Sequence, residues 1–565
     1  MASASSLGDV LFRNSRTFAE RPALFLAPPK GSDVFTPITY AELWERVRGF
    51  AGALRDLGVE RGDRVSIFAE NSPEWAIFDW ACQTLGIVVV PIYPTLPADQ
   101  AQHILRDCGA KLVIVGTAEL GKKVGDVPSL LVRGEGSLAE KGTQSTIDDA
   151  EWAAIRDTVM PDDTATIIYT SGTTGLPKGV MLSHRACMHA IEFGPKAITI
   201  GKDDVFFSFL PLCHVYERIA GHFLPIGIGA SIAYARNLAS IASDLAKVNP
   251  TVMFCVPRFL EAFFDRVTEH VKKQSPLRQK LFKLAIAQGV KKARGQFAPL
   301  QPALDALVMK KVRERVGTRM RYFVSGGAAL APHVAEFYLA TGLVVLQGYG
   351  LTETAGPCSI NHPDRNKYWT VGEPLGMEIT LAEDGEILIR GNAVMTGYYN
   401  MPEETARAID TEGWFHTGDI GAWEGPSLKI TDRKKDLLVL GNGKNIAPQL
   451  LENRLRESEL IQEVVVLGDG QEYCAALIVP AFEKVRKALG LADTEPLADR
   501  DDVRKLIKAE VDAVNKTLAS FEMVKKFALL ETPFSIESGE LTPTLKVKRK
   551  VVLERNTEKA ATLFR

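Results

Sequence analysis

The sequence predicts an α/β architecture, with a large N-terminal domain of mixed, mainly parallel sheets flanked by helices and a small α+β C-terminal domain. Three observations predict it. Short apolar, β-branched runs such as RVSIFAE (64–70), GIVVVPIY (86–93), KLVIVG (111–116) and ATIIYT (165–170) alternate with longer helix-patterned stretches such as TYAELWERVRGFAGALRDLG (39–58), the pattern of helices covering a parallel sheet. After about Gly385 the texture changes to shorter strand and turn elements, GEILIRG, LKITDR and LLVLGNG. A compact tail follows, with strands in EVVVLGDG and YCAALIVP and then helices. The division therefore falls near Asp432, giving units of 1–431 and 432–565, and no fixed-period repeat runs through either.

At 565 residues the chain is long enough for a large α/β body with an appendage. Its 67 Lys plus Arg nearly balance 69 Asp plus Glu, so nothing at whole-chain level points to nucleic acid as a partner. Seven cysteines are scattered, odd in number and never spaced C-x-x-C, which argues against a disulfide framework or zinc ribbon and fits a reducing, cytoplasmic setting. The first twenty residues lack an apolar core of signal-peptide length, and no uninterrupted apolar run is long enough to span a bilayer. Ile219 to Ala235 comes closest, but Gly221, His222, Pro225, Gly227 and Gly229 interrupt it, so it is expected to be buried protein wall.

Charge is clustered in one place. Lys272 to Arg321 holds fourteen Lys or Arg and two acids, Asp305 and Glu314, a local excess of +12. Leu277, Leu281, Phe282, Leu284 and Ile286 give part of it an apolar side. A basic amphipathic helix can lie on an anionic membrane, and the same pattern also serves a core-facing helix.

The segment YTSGTTGLPKGV, Tyr169 to Val180, follows an apolar run and is dense in Gly and hydroxyl residues. Glycines let backbone N–H groups turn toward a phosphate, hydroxyls add donors, and Lys178 adds positive charge. It is not the common P-loop, which needs Gly directly before the Lys and Ser or Thr after it; here Pro177 precedes and Gly179 follows.

YTSGTTGLPKGV resembles the phosphate-loop signature of the adenylate-forming enzymes, which include acyl-CoA synthetases, firefly-type luciferases and peptide-synthetase adenylation domains. Further segments match in the same order: PLCHVYER (211–218), SGGAALAP (325–332), QGYGLTET (347–354), HTGDI (416–420), DRKKDLLVLGNGKNIAP (432–448) and LTPTLKVKR (541–549), with TYAEL and GVERGDRV upstream. The resemblance implies that Thr170, Ser171, Gly172, Thr173, Thr174 and Lys178 hold phosphates, and that Gly327, Gln347 and Gly348 border the nucleotide. Tyr349 would lie flat against adenine, Thr352 would donate to a phosphate, and Glu353, with Thr170, would hold Mg2+ as a hard oxygen ligand. Asp419 has two acceptor oxygens for the two ribose hydroxyls, and Arg433 would address ribose or phosphate. His214 is implied to lie near the substrate carboxylate and the thiol route.

In the tail, the resemblance makes 432–436 the hinge of a mobile C-terminal domain, with Lys435 at the pivot where relatives often carry Asp. Gly441, Gly443 and Lys444 would approach the coenzyme A channel. Lys546 aligns with the lysine that contacts carboxylate and α-phosphate; relatives commonly place Gly before it, Leu545 stands here, and Lys548 is a second candidate. The implied reaction uses ATP and coenzyme A, joining a fatty acid to AMP and then to the thiol, with the domain swinging between steps. PLCHVYER, GNGKNIAP and LTPTLKVKR look most like long-chain acyl-CoA synthetases, and the apolar stretch Val215 to Phe264 could line a tunnel for the acyl chain. The alternatives are an acyl-AMP ligase serving a carrier protein and a non-catalytic lipid-binding relative.

Overall fold

The computed structural model describes residues 4–28, 32–170, 177–434, 436–441, 444–492, 495–535, 537–541 and 547–565. The four apolar runs become the strands Arg64–Phe68, Val88–Ile92, Leu112–Val115 and Thr164–Thr170 of one seven-stranded sheet. These strands are mutually parallel, and the sheet ends in the antiparallel strands Lys178–Ser183 and Gly397–Tyr398. Pro91 sits inside Val88–Ile92 and cannot donate to a ladder. Pairing with Thr164–Thr170 is accordingly reduced to Val89 opposite Thr166.

A nine-stranded sheet carries the second half of the body. Its parallel centre runs Val344–Leu351, Tyr322–Ser325, Val252–Cys255, Val205–Ser208, Ser231–Tyr234 and Pro22–Leu26, with antiparallel strands at both edges. Residues 378–433 add a four-stranded antiparallel sheet. Helices cover the faces; Tyr40–Asp56 starts at a reciprocal Thr39–Glu42 capping box and buries Leu43, Trp44, Val47, Phe50 and Leu54. The Ile219 to Ala235 wall is buried along most of its length.

The C-terminal residues pack around their own three-stranded sheet, Ile461–Leu467, Cys474–Pro480 and Val524–Leu529. Its two apolar clusters draw only on residues from Leu438 onward. Asp432 and Arg433 still belong to the last strand of the preceding antiparallel sheet, Ser427–Arg433, where they pair with Ile420 and Asp419.

In the basic segment the helix Pro276–Ala293 turns Phe282, Ala285 and Gly289 inward, toward the helix Pro332–Thr341. The apolar side that the sequence offers is thus split: Phe282, with Leu281 and Ile286, packs on the core, while Leu277 and Leu284 face out at 67% and 39% exposure.

One buried ion pair ties the body together. Arg218 and Asp79 are both fully buried. Nε and Nη2 of Arg218 donate to the two Asp79 oxygens at 2.7 and 2.5 Å, and Nη1 donates to Thr166 Oγ1 at 2.5 Å. Thr166 Oγ1 in turn donates to the Val89 carbonyl at 2.6 Å, and Gln83 Nε2 donates to Asp79 at 3.1 Å. His222, 3.6 Å from Asp79, is held neutral, its pKa lowered to about 4 by burial.

Beside this pair lies Glu217, the first residue of a π-helical turn, Glu217–Phe223. Both its carboxyl oxygens are buried without a hydrogen-bond partner among the described residues. Gly221 makes the room: a Cβ there would fall 2.5 Å from Glu217 Oε1. Burial pushes the carboxyl up to about 8, so Glu217 is protonated at neutral pH.

Two predictions follow from these groups. Removing one partner of a buried pair strands the other charge, so Asp79→Leu and Arg218→Met should each lower unfolding stability by about 3–5 kcal/mol, and the two together by less than their sum. Strict additivity in denaturant titrations would contradict the coupling. For Glu217, the folded chain keeps its proton up to about pH 8 whereas a free carboxyl loses it near 4.5, so this group's contribution falls as pH rises between those values. Glu217→Gln abolishes that loss; its melting temperature should gain on the parent from about pH 5 to pH 8 and then level off, whereas a pH-independent difference would count against a buried protonated acid.

Candidate active site

The phosphate-loop segment closes an antiparallel hairpin. Thr164–Thr170 pairs with Lys178–Ser183 so that Thr170 lies opposite Lys178, and the connecting residues, among them Ser171, Gly172, Thr173 and Thr174, lie outside the described residues. The strand Gly397–Tyr398 adds to the outer edge of this hairpin, Tyr398 opposite Val180. That addition builds a polar chain: Lys178 pairs with Glu404 and stands 5.1 Å over the Tyr398 ring, whose hydroxyl donates to Glu353 Oε1 at 2.9 Å. The lysine holds the Glu404 carboxyl below its usual range. Burial first, and then the Glu353 charge, push the Tyr398 phenol up, so it stays a donor.

Glu353 itself sits in a single 3-10 turn, Thr352–Thr354, at the end of the long strand Val344–Leu351. Its carbonyl accepts from the Met395 N–H at 2.8 Å. The turn requires close backbone approach: a Cβ on Gly350 would lie 1.9 Å from the Gly356 carbonyl oxygen. Thr352 opens this turn and Gly348 precedes it within the strand.

A second constellation joins the large sheet to the four-stranded one. The buried Asp419 carboxylate accepts from Tyr349 Oη at 2.6 Å through one oxygen and from Arg433 Nε at 2.9 Å through the other. Strand pairing sets this up, because Asp419 and Arg433 are register partners. Each carboxylate oxygen has two lone pairs, so capacity for further donors remains. Burial first, then the neighbouring Asp419 charge, push the Tyr349 phenol well up. Gln347 is engaged at both ends of its amide: Oε1 accepts from the Leu330 N–H at 2.9 Å and Nε2 donates to the Tyr368 carbonyl. It therefore shapes the 325–332 loop, in which Gly327 adopts φ +86°.

His214 is half-buried at the turn before the π-helical segment, with Nδ1 accepting from the Tyr216 N–H at 3.2 Å. Tyr216 donates to the Val324 carbonyl at 2.8 Å, which packs this motif against the Tyr322–Ser325 strand. In the C-terminal part, Gly441 and Lys444 flank the turn of a two-stranded ribbon, Leu438–Val439 with Asn445–Ile446, and Lys444 Nζ lies 5.7 Å from the Phe521 ring centroid. Lys435, Gly443 and Lys546 lie outside the described residues. The flanks of Lys546 are fixed by a bridge between Leu541 and Val547 and by Lys548 N–H donating to the Glu540 carbonyl at 2.7 Å.

Among the described residues no group of three or more His, Cys, Asp or Glu side chains converges as a metal cage. Glu353 and Thr170, the two residues implied for Mg2+, would offer only two oxygen donors, so phosphates and water would have to supply the rest. Sequence reasoning missed Tyr398, Glu404 and Glu217. Tyr398 enters through a two-residue edge strand and Glu404 through the helix after it, Pro402–Ala408, more than two hundred positions from the hairpin they join, and local spacing carries no sign of that.

This arrangement has known counterparts. The family model described as AMP-binding enzyme matches residues 11–399, and that described as AMP-binding enzyme C-terminal domain matches residues 435–564. The chain is 37% identical over 555 residues to the long-chain-fatty-acid–CoA ligase FadD15 of Mycobacterium bovis, covering 92% of this chain and 91% of that one. It is 31% identical over 595 residues to long-chain-fatty-acid–CoA ligase 5 of Rattus norvegicus, covering 97% and 86%. Among solved structures, the adenylation domain of a carboxylate reductase from Mycobacterium chelonae shares the fold at a TM-score of 0.77 and 24% identity, over 99% of this chain and 91% of that one. With both family models and relatives of this identity spanning nearly its whole length, the chain belongs to the AMP-binding enzyme family.

Proposed function

We propose that this enzyme is a long-chain fatty acid–CoA ligase, activating a fatty acid with ATP as an acyl-adenylate and passing the acyl group to coenzyme A. The observation that carries the proposal is its identity with long-chain-fatty-acid–CoA ligases over most of both chains. A carboxylate is a poor acyl donor because oxide would have to leave. In the first step a carboxylate oxygen attacks the α-phosphorus and the bond to pyrophosphate breaks; in the second the thiol sulfur attacks the acyl carbon and AMP leaves.

The residues divide this work by chemistry. Lys178, with Thr170 and the 171–174 loop, meets the phosphates; Glu404 and Tyr398 hold the lysine in place. Glu353 and Thr170 would hold Mg2+, which would offset the negative charge of the phosphates. Asp419, prepositioned by Tyr349 and Arg433, receives the ribose hydroxyls, and Thr352, Gly348, Gly327 and Gln347 shape the nucleotide wall. His214 would lie near the carboxylate. Lys546 brings a fixed ammonium to the meeting of two anions where little water screens them. Division into 1–431 and 432–565 with a hinge at 432–436 is supported by the separate C-terminal core, and withdrawal of Lys546 by a swing about Lys435 would admit Gly441, Gly443 and Lys444 to the thiol route.

The test is pyrophosphate release across a series of acid lengths, with and without coenzyme A, on the parent and Lys546→Ala. Long-chain acids should release pyrophosphate best, and AMP should be released only with coenzyme A. Lys546→Ala should slow adenylation by about 10²–10³-fold while sparing thioester formation from pre-formed acyl-adenylate. Rapid AMP release without coenzyme A, or equal losses in both steps, would contradict the assignment; the selective loss in Lys548→Ala instead would move the role two residues on.

Peripheral attachment to anionic membranes completes the proposal, and would bring the enzyme to sparingly soluble acids. No helix among the described residues is long and apolar enough to cross a membrane. Support comes from outward-facing Leu277, Phe297, Leu300 and Leu307, exposed by 50% or more, within the basic stretch. Each basic residue near an anionic surface contributes about 1 kcal/mol. Lys292 is engaged with Gln301 at 2.8 Å, so the informative variant replaces Lys280, Lys283 and Lys291 with Glu. It should lose co-sedimentation with anionic vesicles yet keep turnover of a soluble medium-chain acid; salt-insensitive binding unaffected by these changes would remove the membrane role.

A further inference from the structure

The helix Pro257–Lys272 leaves the carboxyl end of the central strand Val252–Cys255 and buries Leu260 and Val267 against the body. Its other side carries Arg258, Glu261, Asp265 and Lys272. Successive spacings of three, four and seven residues put all four on a single helical face. Three of them pair with a residue of opposite charge from the C-terminal unit, and the fourth, Glu261, feels the charge of Arg456. Arg258 pairs with Glu463; Lys272 Nζ lies 2.8 Å from Glu459 Oε2 and Asp265 Oδ1 lies 3.9 Å from Lys484 Nζ. Glu261, its carboxyl pushed up by burial, is drawn back down first by Arg456. Read along the helix the signs are plus, minus, minus, plus, and the opposing surface answers minus, plus, plus, minus.

Such matching is register-specific, because sliding or rotating the C-terminal unit places like charges together. The pairs also differ in how salt reaches them. Lys272 and Glu459 are 58% and 56% exposed and are screened over a Debye length of about 8 Å at physiological ionic strength, whereas the Glu463 side chain is only 7% exposed. The contact is therefore firm at the Arg258 end and salt-labile at the Lys272 end.

We propose that the charged face of helix Pro257–Lys272 is a docking rail whose residues, Arg258 and Lys272 above all, position the C-terminal unit in this pose and so set the balance between the two half-reactions. The proposal rests on the adenylate-forming reading of the site, in which the unit must change pose between steps. The rail residues are positioning residues, acting through the unit they hold. Because these pairs belong to the pose described here, weakening the rail changes the two steps unequally.

The experiment compares three proteins with the parent: Arg258→Glu with Lys272→Glu, Glu459→Lys with Glu463→Arg, and all four changes together, which restores opposite signs. Two independent readouts are taken at fixed ionic strength. Hydrogen exchange of the backbone over 257–272 and 461–467 reports docking whether or not the enzyme turns over. The ratio of acid-dependent adenylation to thioester formation from pre-formed acyl-adenylate reports the balance. Either reversal should deprotect both segments and move the ratio by about fivefold, and the fourfold exchange should restore both toward the parent. Unchanged protection and ratio in the reversals, equal changes in both half-reactions, or failure of the exchange to restore would overturn the rail. If the parent itself performs neither half-reaction on fatty acids, the functional reading fails, while the exchange data still decide whether the rail docks the unit.

Discussion

The Asp79–Arg218 pair is the constraint on which the site depends. Its members come from the helix Pro73–Leu85 and the π-helical turn after His214, and through Thr166 it grips the strand that ends at Thr170. The Thr164–Ser183 hairpin and the 211–218 motif are therefore fixed to a common buried charge. Both charges are wholly removed from water, so the pair is stable only with its full set of hydrogen bonds, and any shift of one element would break them. A buried ion pair of this kind contributes definition of geometry more than stability.

Around that anchor the site is assembled from backbone pairings distant in sequence. The Tyr398 edge strand delivers a hydroxyl to Glu353, the Asp419–Arg433 register delivers a carboxylate to Tyr349, and the Gly350–Gly356 contact sharpens the turn that carries Glu353. Lys178, Glu353 and Asp419 are thus each held by a second polar group before substrate arrives. Preorganisation of this sort places charges where they are needed without reorganisation during the reaction.

Much of this was legible in the sequence. The four apolar runs of the first sheet stood out because a parallel strand buried on both faces is a short continuous β-branched run, and the motifs located Lys178, Glu353, Asp419 and Arg433 by chemistry and order. What was not legible was pairing. The sequence places Gln347 beside the nucleotide but carries no sign that the two ends of its amide bind Leu330 and Tyr368. Glu217 and Arg218 are neighbours in PLCHVYER, and nothing in the motif tells that one side chain is buried without a partner while the other meets Asp79. The helix Pro276–Ala293 shows why amphipathic pattern alone does not choose a partner: Phe282 faces the core while Leu277 faces out, on the same eighteen-residue helix.

The central claim is that the site makes an acyl-adenylate as a discrete intermediate before any thiol is engaged. Rapid quenching of the enzyme with long-chain fatty acid and ATP labelled at its α-phosphate, in the absence of coenzyme A, tests it most directly. The account predicts that a labelled acyl-adenylate accumulates to about one per chain and is consumed on addition of coenzyme A faster than steady-state turnover. Thioester formation with no labelled adduct at any time, or an adduct consumed more slowly than turnover, would contradict it.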